Sequence, residues 1–599
     1  MAHTILDLEA LLRVPYVDPD GAFDLSPDGT QVAFSHNTSG QWEVYLAPLD
    51  GSSPPRRVTG GPGSKSNPRW WPDGRSLGYT LDLTGGEAFD LWRCDLTDGR
   101  HTNLTPDTPD AIQPHYAISP DGARVAFISD RSGHFDTYVM PASGGPARPV
   151  FSAPHPDAEV YWSPDGQWLA IVSASSGQDS ETFIVPADRG DARPIADGST
   201  PLHAVSPRWS PDGRFIAFAA PRDGYFNLGL YEPATGRVTW LTEGPGDKDL
   251  PAWSPNGQRL AFVLSHGPVT TLAVLDVAQA TLTRYQVEPG VHHQPRFTPD
   301  GTGLVFPFDS PRRPCDLWRL SLTDGSLQPL TRSLPPGFAE TPFAVPEEVR
   351  YPSLDGRDVP ALLYRPRPTG ALPPAVIHIH GGPTWLSQFT WDPLIQHMVS
   401  RGWVVLAPNY RGSTGYGREW QTANRFDLGG GDTADVVAGA DYLARAGLAD
   451  PSRIAVTGES FGGYLTMTSL TGYPDRWAAG SAVIPFLNWF SEAQEERADL
   501  QHWDRENFGD PEKDRQRFYE RSPFFFLDRI TAPVQLICGA NDPRCPASES
   551  LQARDRLVAL GKPCELVLYN DEGHGFLKTE NLVDAEQRRV AFLAAALER

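Results

Sequence analysis

Cysteine is scarce in this chain: five residues in 599, and an odd number. That is too few for a disulfide framework in so long a chain, which excludes the small stapled scaffolds of secreted proteins. Nowhere does the sequence approach about 18 uninterrupted apolar residues, and its N-terminus has no apolar run behind basic residues. Neither a membrane-spanning helix nor a secretory leader is therefore expected, and the expected location is the cytoplasm, without a membrane partner. Positive charge is also short, with 51 Lys and Arg against 74 Asp and Glu and a net charge of −23. Phosphate backbones are bound by clustered cations, so nucleic acid is not an expected partner. The acidic balance favours solubility and leaves the oligomeric state, homo-oligomer included, open.

What the first half does contain is a repeat. An aromatic or aliphatic residue, Ser or Thr, and then Pro-Asp-Gly recur at Leu25–Gly29, Ile118–Gly122, Trp162–Gly166, Trp209–Gly213 and Phe297–Gly301, with Asn for Asp in Trp253–Gly257 and without the Ser or Thr in Trp71–Gly74. Successive prolines lie 44 to 48 residues apart. That period is in the propeller range, where each unit is a four-stranded blade. Proline presets φ, aspartate tolerates the tight turn and glycine takes the left-handed position. A second phrase follows each turn by about 20 residues, as in Leu91–Leu96 and Leu317–Leu322. Seven copies predict a seven-bladed β-propeller over residues 20–335, and its aromatics are read as packing between blades.

The second half carries chemistry. Residues 454–457 read as a buried strand and a helical pattern follows from Tyr464, with Gly458-Glu459-Ser460-Phe461-Gly462 between them. A serine between two glycines at a strand-to-helix turn is a nucleophile elbow. A second apolar strand, Pro533–Gly539, opens into Asn541-Asp542-Pro543-Arg544, and a third, Glu565–Tyr569, leads to Gly573-His574-Gly575. The order Ser, Asp, His is the one an α/β-hydrolase requires. A serine hydroxyl is a weak nucleophile until a histidine takes its proton, and a buried carboxylate fixes the tautomer of that histidine. Ser460, Asp542 and His574 are therefore the expected catalytic triad, with Asp571 and Glu572 as rival acids. The oxyanion of the tetrahedral intermediate needs donors, and the backbone N–H of Phe461, next to the nucleophile, is one. The apolar strand Ala375–Ile379 ends in His380-Gly381-Gly382-Pro383, which puts the second donor at Gly382 N–H. His378 and His380 alternate on one strand face, but no third ligand stands at a telling spacing, so neither a metal nor another cofactor is expected.

Propeller repeats followed by H-G-G-P, G-x-S-x-G-G-Y, N-D-x-R and G-H-G-F resemble the prolyl oligopeptidase family of serine peptidases over nearly the whole chain. Glu348–Gly356, His380–Pro383 and Asn409–Gly417 look most like its acylaminoacyl-peptidase branch. The resemblance implies a propeller that admits only short peptides to the serine, and a role for Arg544 in binding a substrate backbone carbonyl. It further implies an S1 wall drawn from Phe486, Trp489, Phe490 and Trp503, for which core packing is the competing reading. Prolyl oligopeptidases proper have an aromatic hydroxyl where His380 stands, which favours a backbone oxyanion donor here. The dipeptidyl-peptidase branch holds a free amino terminus with paired glutamates in its propeller. Glu347 and Glu348 are adjacent but stand where the second domain begins, and read as a linker feature. The expected organisation is an N-terminal segment 1–19 packing on the hydrolase domain, the propeller 20–335, a linker 336–346 and the α/β-hydrolase 347–599. The expected function is an exopeptidase or oligopeptidase acting on short peptides through an acyl-enzyme. An exopeptidase for a free C-terminus and a carboxylesterase with the same triad are the alternatives. A binding protein with a vestigial triad is the reading outside enzymes.

Overall fold

The repeated turns close by hydrogen bonds that their residues dictate. In a computed structural model of the chain, which describes residues 5–598 apart from 20, 109, 110, 189 and 369, Ser119 Oγ donates to Asp121 Oδ1 at 2.5 Å. The Asp121 carboxylate accepts from Ala123 N, and Gly122 takes a φ of 72°. Ser163 with Asp165, Ser210 with Asp212 and Thr298 with Asp300 repeat the pair at 2.6 Å. Each turn launches a strand buried on both faces, such as Arg124–Ser129, in which Val125, Ala126, Phe127 and Ile128 are fully enclosed.

Among the described residues these strands build seven antiparallel sheets, from Asp24–Leu25 in the first to Leu327–Pro329 in the last, with a two-stranded ribbon of Ala196–Asp197 and Thr200–Pro201 between the fourth and fifth. Six have four strands; the seventh gains a fifth because Val291–His292 and Arg296–Phe297 both pair with Gly303–Ser310. This is the seven-bladed propeller. Repeat tryptophans tie blade to blade: Trp162 Nε1 donates to Ala117 O, and Trp253 Nε1 to Arg208 O, both at 3.0 Å. Between the first and last blades, Val17 N–H donates to Cys315 O at 2.9 Å, and Arg296 reaches Asp24 at 3.0 Å.

The remaining chain forms a mostly parallel eight-stranded sheet. Its strands are β1 (Glu347–Pro352), β2 (Asp358–Tyr364), β3 (Ala375–Ile379), β4 (Val404–Pro408), β5 (Ile454–Glu459), β6 (Ala479–Val483), β7 (Val534–Gly539) and β8 (Cys564–Tyr569). Their spatial order is β1-β2-β4-β3-β5-β6-β7-β8, with β2 antiparallel to both of its neighbours and β3 through β8 parallel. β5 opens on an apolar run because helices cover both faces of a parallel sheet, and Ile454, Ala455 and Val456 are buried. Glu347 and Glu348 are exposed residues of the edge strand β1.

The chain divides into two compact units, one of Met1–Val14, Thr84–Gly86 and Gly337–Arg599 and the other of Pro15–Leu83 and Glu87–Pro336. The first unit thus recruits the N-terminal helix α1 (Leu8–Leu12), capped by Asp7. Leu8 and Leu12 enter a core cluster with Met398, Val590, Leu593 and Leu597, and Arg13 pairs with Glu580 at 2.7 Å. Residues 1–4 of the segment lie outside the described ones. Gln396 holds Ala344, in the segment read as linker, through both its backbone N–H and its carbonyl. Among the described residues no helix is long and apolar enough to cross a membrane.

Candidate active site

The turn after β5 is strained in the way an elbow demands. Ser460 has φ 56° and ψ −123°, a region that costs a non-glycine residue about 1–3 kcal/mol. Its N–H donates to Val483 O at 3.0 Å and its carbonyl accepts from Tyr464 N, which starts helix α2 (Phe461–Gly472). That helix begins at Phe461, three residues before the apolar pattern from Tyr464 suggests. Gly462 and Gly463 are poor helix formers, but they stand where β-carbons have no room. A Cβ on Gly462 would lie 2.3 Å from Ile379 O, and one on Gly463 2.8 Å from Val483 O. A Cβ on Gly458 would meet Gly462 C and O at 2.6 Å and Ile379 O at 2.7 Å. Gly462→Ala is accordingly expected to lower unfolding stability by more than about 3 kcal/mol, because the obstacles are backbone atoms that cannot turn aside. Urea unfolding of the variant checks this, and a stability within 1 kcal/mol of wild type (roughly the floor for overpacking) would contradict it.

Three loops at the carboxyl ends of the strands bring the predicted residues together. His574 Nε2 lies 2.9 Å from Ser460 Oγ, and His574 Nδ1 lies 2.9 Å from both Oδ1 and Oδ2 of Asp542. Asp542 presents no side-chain surface to solvent, and its Oδ1 also accepts from Arg544 N at 2.8 Å and Cys545 N at 2.9 Å. A carboxylate can only accept, so Nδ1 carries the proton and Nε2 is free to take one from the serine. Gly539, which ends β7, makes room for the histidine loop: a Cβ there would sit 2.4 Å from Gly573 O. Asn541 N–H, donating to Glu572 O at 2.9 Å, pins the acid loop to the histidine loop. The rival acids are otherwise engaged. Glu572 accepts from Leu577 N, Lys578 N and Asn581 Nδ2, and Asp571 pairs with Lys578.

The His380–Pro383 loop stands against the serine. A Cβ on Gly381 would lie 3.3 Å from Ser460 Cβ. Tyr410 braces the loop, its hydroxyl donating to His380 O at 3.0 Å and its ring stacking on His380 at 4.3 Å. His380 Nδ1 lies 2.7 Å from Gly381 O, and Nε2 lies 2.9 Å from Ser413 Oγ. The carbonyl only accepts, so Nδ1 bears the proton, and burial pushes the ring down to about 4, which keeps it neutral. Asn409–Gly417 thus contains the support of this loop. Gly382 follows at φ 122°, a backbone setting that only glycine takes without strain. Phe461 is the first residue of α2, and the first N–H groups of a helix have no acceptor within it. Among the described residues no group of three or more His, Cys, Asp or Glu is placed to hold a metal ion.

Of the four aromatics read as a pocket wall, Trp489 is core: it is 2% exposed, stacks on Phe508 at 4.0 Å and donates to Tyr464 Oη. The dense aromatic spacing around it decides this, and no feature of its own segment shows it. Phe486 is also buried, stacked on Tyr464 and 6.3 Å from the Phe461 ring. Phe490 and Trp503 are partly buried against the same cluster. Arg544 is exposed. One pair escapes sequence reading altogether. Arg589, fully buried on the last helix, donates to Thr457 Oγ1 (2.9 Å), Glu459 (2.8 Å) and Glu586 (3.1 Å), and so clamps the end of β5 directly before Ser460. Thr457 and Glu459 lie 132 and 130 residues from it in sequence, at no motif spacing.

Comparison with known proteins adds the following. Residues 388–599 match the prolyl oligopeptidase family profile, and residues 95–249 and 192–338 match the TolB beta propeller domain. The uncharacterized peptidase YuxL of Bacillus subtilis is 26% identical over 86% of this chain and 95% of its own length. Dipeptidyl aminopeptidase BIII of Pseudoxanthomonas mexicana is 27% identical over 96% of this chain and 86% of its own. In fold, the chain is similar to a puromycin-hydrolyzing peptidase of Mycobacterium tuberculosis, with a TM-score of 0.84 and 24% identity over 99% of this chain and 96% of that one.

Proposed function

We propose that this chain, whose residues 388–599 match the prolyl oligopeptidase family profile, is a serine peptidase of that family and cleaves short peptides through an acyl-enzyme formed on Ser460. The observation that carries this reading is the unbroken relay from Ser460 Oγ through His574 to Asp542, each link 2.9 Å long. His574 Nε2 takes the hydroxyl proton as Oγ bonds to the scissile carbonyl carbon. The Phe461 and Gly382 N–H groups hold the resulting oxyanion. His574 then delivers the proton to the leaving amine as the C–N bond breaks, and water repeats the cycle to release the acid. Phe486, Phe490 and Trp503 are the candidates for an S1 wall, which would favour an apolar residue there. The propeller restricts turnover to short peptides, and exopeptidase or oligopeptidase action of the acylaminoacyl type is the substrate reading.

Arg544 supplies the test. If its guanidinium donates to a substrate backbone carbonyl, Arg544→Ala should weaken kcat/KM on peptides that extend to the acyl side of the cut. The loss is expected at about 1.5–3 kcal/mol, the scale of a hydrogen bond to a charged group. p-Nitrophenyl acetate has no such carbonyl and should be hydrolysed at the wild-type rate. Equal losses on both substrates would leave Arg544 with only the Asp542 loop to hold, and would favour the esterase. Mass spectrometry of products from free, amino-acylated and carboxy-amidated forms of one peptide then separates amino-end, carboxy-end and internal cleavage.

A further inference from the structure

The propeller encloses a cavity of about 720 Å³ lined by the first strand of every blade, which makes it the central channel of the ring. One position of the repeat, the residue three before the proline of each turn, lines the cavity from all seven blades. Three of these are arginines, Arg69, Arg208 and Arg296, and one is an acid, Asp24. The others are Ala117, Tyr161 and Ala252.

The arginines are aimed by their backbone. Asn67 and Ser206 have φ of 54° and 51°, and the strand register slips between Ser66 and Arg69 and between Val205 and Arg208. A bulge of this kind re-aims the side chain that follows it, and two blades use it to turn an arginine toward the cavity.

These guanidinium groups are poorly matched by protein acceptors. Arg69 makes no ion pair among the described residues, and its Nη1 is buried without a hydrogen-bond partner; so is Arg296 Nε. Arg208 has a backbone carbonyl, Pro207 O at 2.9 Å, and the Tyr161 ring at 4.1 Å, but makes no ion pair among the described residues. The acids lining the cavity are already occupied. Asp24 accepts from Arg296 Nη1, Trp70 N and Leu25 N, and Glu159 from Tyr161 Oη. Asp249, beside them, is pushed up from its usual value by burial, and burial holds His115 neutral at about 3. Burial, and secondarily the charges of Arg69 and Arg208, bring Arg296 down to about 10 against the pull of Asp24. The lining therefore sets three guanidinium groups against the two carboxylates of Asp24 and Glu159, with two orphan N–H groups buried in its walls.

We infer that the central channel of the propeller binds an oxyanion, with Arg69, Arg208 and Arg296 as its ligands. A guanidinium fork matches the oxygens of a carboxylate or a phosphate in pairs, and the carboxylate of a peptide and inorganic phosphate share that chemistry. The site is independent of the peptidase reading.

The test uses the full-length Ser460→Ala protein at low ionic strength, so that peptide probes are not consumed. Inorganic phosphate, titrated calorimetrically, should bind, and Arg69→Gln should weaken it by at least about tenfold, the scale of one charged hydrogen bond. Arg69→Lys, which keeps the charge without the fork, should fall between the two. Displacement of phosphate by a tripeptide with a free carboxylate but not by its carboxy-amide identifies the occupant as a peptide end. Failure of both peptides to displace it identifies a free inorganic anion. The inference is overturned if the parent protein binds no phosphate, or if Arg69→Gln and Arg208→Gln, with unchanged thermal unfolding, bind it as the parent does. Should Arg69→Gln not fold, Arg69→Lys and Arg208→Gln decide alone.

Discussion

Replacing Ser460 by alanine is expected to lower kcat by about 10⁴–10⁶-fold, the scale on which removal of a triad member acts in serine hydrolases. The fold should survive, because Ser460 is only partly buried and its backbone bonds to Val483 and Tyr464 do not involve the hydroxyl. Alanine must still adopt φ 56°, so any change in stability should be about 1 kcal/mol or less, since the strain is common to both residues. A fluorophosphonate probe should label the wild type at Ser460 and leave the variant unlabelled. Retained turnover, or labelling at another residue, would remove the assignment.

Asp542→Asn should be almost as damaging, with kcat reduced about 10⁴-fold while structure is kept. The reason lies in which oxygen is committed. Arg544 N–H and Cys545 N–H both donate to Oδ1, so an asparagine would keep its carbonyl oxygen there and turn its amide NH₂ toward His574 Nδ1. A donor facing Nδ1 favours the tautomer that carries its proton on Nε2. That imidazole can only donate to Ser460 and cannot receive its proton. Steady-state kinetics alongside circular dichroism measure this, and a loss under tenfold with an intact fold would mean the carboxylate does not set the tautomer.

Much of this site was legible in the sequence because its chemistry fixes short-range spacing. Glycines 458 and 462 flank the serine since the elbow leaves no room for β-carbons, and that requirement is local enough to read. The acid and histidine follow strand ends, whose apolar runs are equally visible. The propeller was legible through its turns, where Pro, Asp and Gly each answer to a backbone angle. What escaped depends on long-range packing. Trp489 and Phe490 are adjacent in sequence, yet one is enclosed by Phe508 and Phe518 and the other only partly so. The Arg589 clamp joins the last helix to β5, and nothing in either segment alone announces it. The channel arginines sit in register with the repeat, but their convergence on one cavity becomes apparent only when seven blades are closed into a ring.

The path of the chain through its two units has a consequence for synthesis. Helix α1 is made before the propeller, yet Leu8 and Leu12 find partners among residues made well after it, such as Val590, Leu593 and Leu597. At ribosomal speeds of about 5–20 residues per second, the interval between them is on the order of tens of seconds. All seven blades emerge within it, so the propeller can fold while the leading helix waits with its leucines uncovered. The hydrolase unit is therefore completed from segments on both sides of the propeller, and only once the last helix has emerged. A chain stalled before the last helix would hold a finished propeller and an uncovered, chaperone-attracting helix α1.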